Sequence, residues 1–302
     1  MSSEPLVSVI IIFLNTEGFI QEAIDSVFAQ TYNTWELLLV DDGSTDRSTE
    51  IALRYVEKYP DRVRYLEHDG HQNRGMSATR NLGIHNSKGE YITFLDADDV
   101  WLPNTLAEQV AILESHREAG MVYGPVEWWY SWTGNPEDVQ RDFVKELGFQ
   151  LNTLIKPPKL LNLFLGKQTI PPTGFLVRHQ LVKDVGGFEE SFRSICEDQV
   201  FAAKVCLQAA VYVSSSCWYK YRQHPESSCY SAKRTGTYYP ARQTFLNWLE
   251  EYSSKQKIPN TEFLAVLHKE LWPYRHPILS HLSKRAECFA NKIRELWQTA
   301  DP

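Results

Sequence analysis

The sequence has little that would hold a polyanion, a disulfide cage or a lipid bilayer. Lysine and arginine number 31 against 38 aspartates and glutamates, leaving a net charge of -7 and a pI near 5.8. A general nucleic-acid binder needs a basic surface to displace counterions, so that class is excluded and any phosphate-bearing ligand must be held locally. Five cysteines (Cys196, Cys206, Cys217, Cys229 and Cys288) form an odd set without a CxxC pair. Neither a disulfide framework nor a zinc site follows, and they read as ordinary thiols of a reducing cytoplasm. The start, Met-Ser-Ser-Glu-Pro, carries no basic n-region, and the apolar run over residues 6–14 is too short to cross a bilayer before it meets Asn15 and Glu17. No later segment reaches the length of a membrane span, and no internal repeat is present. The expected location is the cytoplasm, with peripheral contact at the inner face of the membrane as the alternative.

What is present is enough apolar material for a large core: 43% of 302 residues, which predicts one large domain or a domain with an appendage. From residue 7 to about 125, β-rich runs alternate with helical patterns, the sequence form of a mostly parallel α/β sheet. The runs at 7–14, 35–41, 63–67, 91–95 and 121–126 predict strands. Phe19, Ile20, Ala23, Ile24, Val27 and Phe28 recur at helical spacing, as do Ile51, Ala52, Tyr55 and Val56. Ser44 or Thr45 marks one helix start, and Asp99 or its neighbours, ahead of Pro103, mark another. In open parallel sheets ligands bind beyond the carboxyl ends of the strands. That rule brings Asn15, the 41–46 segment and the 96–99 segment to one rim. After residue 126 the pattern weakens and reads as loop-rich, with Trp128, Trp129, Tyr130 and Trp132 close together. A strand is expected over 173–178, a helix from about 198 to 208, and a mainly helical chain from Tyr230 onward.

Three clusters carry chemistry. Asp41-Asp42-Gly43-Ser44-Thr45-Asp46 ends a strand; it is a turn with a helix cap, or a pair of carboxylates accepting from a base imide or a ribose hydroxyl. Asp96-Ala97-Asp98-Asp99 ends another strand. Hard divalent ions want carboxylate oxygens, and Mg²⁺ takes only one or two from protein, so this is a cap or a metal site completed by phosphates and water. Between them, Arg80 lies one to two turns into a helix opened by Gly75, where it meets a diphosphate or a surface carboxylate.

Taken in order, the apolar strand ending at Asn15, Asp41-Asp42-Gly43-Ser44-Thr45-Asp46, Asn73-Arg74-Gly75 with Arg80-Asn81-Leu82-Gly83, and Leu95-Asp96-Ala97-Asp98-Asp99 resemble the successive signatures of family 2 glycosyltransferases. Gly186-Gly187-Phe188-Glu189-Glu190, Cys196-Glu197-Asp198-Gln199 and Tyr221-Arg222-Gln223-His224 extend the likeness to residue 228. The resemblance implies the glycosyltransferase A fold, a Rossmann-like central sheet with flanking helices. It also implies a nucleoside-diphosphate sugar donor, UDP-linked, with Mn²⁺ or Mg²⁺ and inversion at the anomeric carbon. By the same resemblance Asp41 or Asp42 meets the nucleoside, with Phe13, Asn15, Glu17, Arg80, Asp96 and Ala97 on the nucleotide side. Asp98 is the direct metal ligand, His224 joins its shell, and Asp198 is the general base. Thr173, Gly174 and Glu197 belong to the acceptor or donor-sugar side, and the aromatic run Trp128, Trp129, Tyr130 and Trp132, read from its residues alone, stacks on an acceptor sugar, forms a mobile lid or packs in the interior.

The expected organisation is a catalytic domain over 1–228, with a nucleotide half to about 100 and an acceptor half beyond it, followed by a helical extension over 229–302. That extension packs on the domain, mediates a homodimer or touches a membrane surface. The acceptor is a glycan, a lipid-linked glycan or a protein hydroxyl, and no nucleic acid is involved. A sugar nucleotidyltransferase would carry a glycine-rich basic loop where this chain has Phe13-Leu14-Asn15-Thr16-Glu17. A non-catalytic sugar-nucleotide binder would have no need of Asp198.

Overall fold

The computed structural model describes residues 4–167, 173–193, 195–258 and 261–280. Its first part alternates strand and helix: β1 (Val7–Phe13), α1 (Ile20–Phe28), β2 (Trp35–Asp41), α2 (Ser48–Lys58), β3 (Val63–Glu67), α3 (Met76–Asn86) and β4 (Tyr91–Asp96). Every residue of β1 and β2 is buried, as expected of parallel strands covered on both faces. Successive side chains of β1 go to opposite cores. Ile10 and Ile12 join one apolar cluster with Leu38, Val40 and Phe94, while Val9, Ile11 and Phe13 join the other with Leu37, Leu39 and the Ile20, Ala23, Ile24 and Val27 stripe of α1.

The chain continues through β5 (Val100–Trp101), α4 (Thr105–Ser115), β6 (Ala119–Tyr123), β7 (Glu127–Trp129), β8 (Phe143–Val144) and β9 (Thr153–Ile155). Next come α5 (Lys159–Lys167), β10 (Leu176–Arg178), α6 (His179–Asp184), α7 (Glu197–Gln208), β11 (Ala210–Val213) and β12 (Tyr219–Arg222). Among the described residues the main sheet has the order β3-β2-β1-β4-β10-β6-β11-β9. The strands from β3 to β4 are mutually parallel, and β10 and β9 run against their neighbours. A second sheet, β5-β12-β7-β8, crosses the region that the sequence pattern reads as loop.

Two helix starts differ from expectation. Helix α2 opens at Ser48, because Ser44 and Thr45 are bound to Asn15 instead, and the Ser48 amide donates to Asp46 (2.9 Å). Asp99 is no cap either: β5 follows it and α4 begins at Thr105.

The last described elements are α8 (Ser228–Thr235), α9 (Tyr238–Lys255) and α10 (Thr261–Arg275). Phe245, Leu246 and Leu249 of α9 and Phe263, Leu267 and Leu271 of α10 are buried in the same cluster as Phe164 of α5 and Phe201 of α7. The extension therefore packs on the sheet domain. No helix among the described residues is long and apolar enough to cross a membrane. Cys288 and Trp297 lie outside the described residues.

Candidate active site

A cleft of about 590 Å³ opens beyond the carboxyl ends of β1, β2 and β4. Its wall carries Asp42, Asp96, Asp98, Glu197, Asp198 and Glu226, so carboxylates from four separate segments of the chain meet in one space.

Where the loops after β1 and β2 meet, Asn15 has φ +53°, a left-handed backbone that asparagine tolerates better than most residues. Its Oδ1 accepts from the Thr45 amide (2.7 Å) and the Asp46 amide (3.3 Å), clasping the β1 and β2 loops together. Glu17 extends the clasp by accepting from the Arg47 amide (2.9 Å), and it does not line the cleft. The two aspartates of the β2 end divide their work. Asp41 is fully buried behind the rim, accepting from the Gly43 and Ser44 amides, the Thr49 hydroxyl (2.5 Å) and the Tyr65 hydroxyl (3.2 Å). Asp42 faces the cleft and accepts from the Arg74 amide (2.7 Å) and the Gly75 amide (3.1 Å). Phe13 and Ala97 complete this rim.

Arg80 is almost wholly buried at the cleft floor. It donates to Asp96 Oδ1 (2.7 Å) and to Glu197 Oε1 (2.8 Å), tying β4 to the start of α7. Its charge is spent on those two carboxylates, whereas the sequence pattern also allowed a diphosphate partner. Burial holds both acids above the usual carboxylate range, with Arg80 opposing the effect. The Thr173 hydroxyl reaches the other oxygen of Asp96 (3.4 Å). Gly174, with φ +78°, lies where a Cβ would come within 2.3 Å of the Tyr219 ring, which confines that position to glycine.

Asp98 Oδ2 lies 2.9 Å from His224 Nε2 at the cleft wall. Nδ1 of His224 is buried and has no hydrogen-bond partner among the described residues. The backbone of Asp98 is held by Arg222, which the sequence reading did not single out. Its amide donates to Asp99 Oδ1 (2.9 Å), its Nε donates to the Asp98 carbonyl (2.6 Å), and its Nη2 pairs with Glu22 (2.6 Å). Phe19, Trp129 and Trp132 surround the guanidinium. Asp99 is thus a buried anchor for β12, and burial beside Asp98 and Asp96 raises its pKa well above the ordinary value. Among the described residues no group of three or more metal-ligating side chains converges. The carboxylate of Asp98 and the imidazole of His224 are one oxygen and one nitrogen donor, so a divalent ion held there takes its remaining positions from phosphate and water.

Asp198, which also lines the cleft, stands in the first turn of α7 and accepts from the Gln199 amide (2.7 Å). Burial, and then the Glu197 charge, push its pKa well above the ordinary carboxylate value. Trp128 does not line the cleft. It packs edge-on against Tyr221, which does, and stacks on Phe143 in the second sheet.

The family model described as "Glycosyl transferase family 2" matches residues 8–186, the segment that builds most of this rim. The chain belongs to glycosyl transferase family 2. The chain is 31% identical over 225 residues to an uncharacterized glycosyltransferase of Rickettsia felis, covering 74% of this chain and 35% of the relative. It is 39% identical over 102 residues to glycosyltransferase GlyA of Streptococcus pneumoniae, covering 34% of this chain and 14% of the relative. The matched segments span less than half the length of these curated relatives. Among solved structures, residues 1–349 of S. aureus TarS in complex with UDP superpose with a TM-score of 0.57 at 26% identity, covering 73% of this chain and 61% of that one. The mannosyltransferase PcManGT of Pyrobaculum calidifontis, in complex with GDP-Man and Mn²⁺, gives 0.59 at 19% identity over 99% of this chain and 84% of its own, a likeness of fold. The family 2 chain therefore has the glycosyltransferase A fold that its motif order implies.

Proposed function

We propose that this chain moves a sugar from a nucleoside-diphosphate sugar, UDP-linked, to an acceptor hydroxyl in glycan or polysaccharide synthesis, with inversion at the anomeric carbon. One observation carries the reading: Asp42, Asp98 and Asp198, each from a different segment, line a single cleft. The UDP held by TarS supports the choice of base, and the Mn²⁺ in PcManGT accords with a divalent ion.

In this reading Asp42 and the Asn15 rim hold the nucleoside, and Asp98 with His224 holds Mn²⁺ or Mg²⁺. When bound, the ion supplies Lewis acidity and a template for the diphosphate. Asp198 receives the proton of the acceptor hydroxyl as its oxygen bonds to the anomeric carbon and the bond to the diphosphate breaks. Attack from the side opposite the leaving group inverts configuration. The raised proton affinity of Asp198 suits a general base, a role worth about 10²–10⁴-fold in rate. Glu197 and Thr173 keep Arg80 and Asp96 in place behind the donor.

The test is a thermal-shift panel of UDP-, GDP- and dTDP-sugars with Mn²⁺ or chelator. A UDP-sugar at a hundred times its Kd should add about 2.7 kcal/mol of stability, and only with Mn²⁺. Asp98→Ala should remove the difference between Mn²⁺ and chelator. Equal stabilisation of the unaltered chain in chelator would overturn the metal assignment, and no stabilisation by any nucleotide sugar would overturn the function.

A further inference from the structure

The cleft is short of free positive charge. Two arginines, Arg80 and Arg193, and no lysine are among the described residues that line it, against six carboxylates. Arg80 is consumed by Asp96 and Glu197. Arg193 is different. It is exposed, its Nη2 donates to the Asn73 carbonyl (3.0 Å) and to Asn73 Oδ1 (3.2 Å), and among the described residues no carboxylate pairs with it. Both of those acceptors are neutral, so its charge and most of its donors remain available.

The position of Arg193 indicates what it meets. Its carbonyl accepts from the Met76 amide (2.9 Å), and its Cβ lies against Gly75, where an added Cβ would come within 2.9 Å. The segment is therefore seated on the same loop whose amides hold Asp42. A few residues further along the chain, Cys196 leads into Glu197 and Asp198. Arg193 thus touches the loop that holds Asp42 and, five residues before Asp198 in the chain, shares the wall of the cleft with both. A ligand spanning those two points has its phosphates in between. Phosphate oxygens entering a wall of carboxylates meet repulsion, and a planar guanidinium offers two parallel donors to such an oxyanion.

We propose that Arg193 binds the diphosphate of the donor, supplying the cation that Arg80 does not. This rests on the nucleotide-sugar reading of the cleft. The test compares UDP and uridine binding by calorimetry, in Mn²⁺, for the unaltered chain, Arg193→Gln and Arg193→Lys. Arg193→Gln should weaken UDP by about 10–100-fold, the worth of a charge-assisted contact, and leave uridine unchanged. Arg193→Lys should restore part of the loss, since it keeps the charge without the fork. The UDP affinity of Arg193→Gln should also depend less on salt. Unchanged UDP affinity in Arg193→Gln would refute the assignment. Equal losses for UDP and uridine would refute it too, by making Arg193 a strap for the Asn73 loop. An unaltered chain that binds no nucleoside diphosphate would instead overturn the function itself.

Discussion

Asp198 carries two opposed consequences of its burial. Because its folded-state pKa lies well above the ordinary value, the deprotonated form that the proposed general base requires accumulates only as pH rises through that raised value. The acid limb of kcat/KM should therefore sit above the usual carboxylate range, and Asp198→Asn should abolish that limb along with most turnover while nucleotide binding persists. The stability sign is the reverse. A carboxyl with a raised folded pKa stabilises the fold fully below its unfolded pKa, and that contribution is lost as pH rises through the folded one. Asp198→Asn, which keeps an oxygen for the Gln199 amide, should melt higher at neutral pH by about 2–4 °C, the shift that about 1 kcal/mol produces in a large domain. An unchanged melting temperature together with an unshifted acid limb would contradict this account of the residue. The types of these residues were legible in the sequence, but their division of labour was not. Nothing in Asp41-Asp42 tells which carboxylate turns inward to four donors and which faces the ligand, because that depends on Thr49 and Tyr65, 8 and 24 residues away.

The longest strands were the most readable, although the nine-residue α5 fell in the stretch read as loop. The long buried strands β1 and β2 announce themselves by unbroken apolar runs, whereas β5, β7, β8 and β12 have two to four residues each. Such strands are too short for alternation to register. Their sheet is set by distant pairing, β12 lying between β5 and β7, and this is why the Trp128 region looked like loop. Gly75, at the entry to α3, is the joint where two loops of the site touch. It has φ +91°, and its missing Cβ makes room for the Cβ and carbonyl of Arg193. Gly134 has a similar φ of +75° with nothing within 4 Å. Gly134→Ala should then cost only the backbone term, about 1–2 kcal/mol. Gly75→Ala should cost more, because Arg193 must also move, and it should weaken UDP binding by separating the Asp42 loop from the Asp198 segment. Denaturant titration of the two variants checks the difference, and equal losses would show that the packing at Gly75 has no effect of its own.

On the scale of the whole molecule, packing contacts cross residue 228, where the likeness to the family ends. Tyr238, at the start of α9, lines the cleft together with Ser228 and Cys229 of α8. Arg242 of α9 pairs with Glu270 of α10 (2.9 Å) and reaches the Leu165 carbonyl of α5. Helical periodicity after Tyr230 foretold the helices, but their docking face could not be read, because the apolar surface they cover is assembled from α5 and α7, which are separated in the chain. The six buried apolar side chains of α9 and α10 are worth about 1.5–3 kcal/mol each, together of the same order as the entire stability of a domain, about 5–15 kcal/mol. A chain ending at residue 228 should therefore lose cooperative unfolding and expose Phe164, Leu165 and Phe201, seen as dye binding and aggregation at room temperature. If that shorter chain instead melted cooperatively and bound UDP like the full chain, the last helices would be an appendage rather than a wall of the catalytic body.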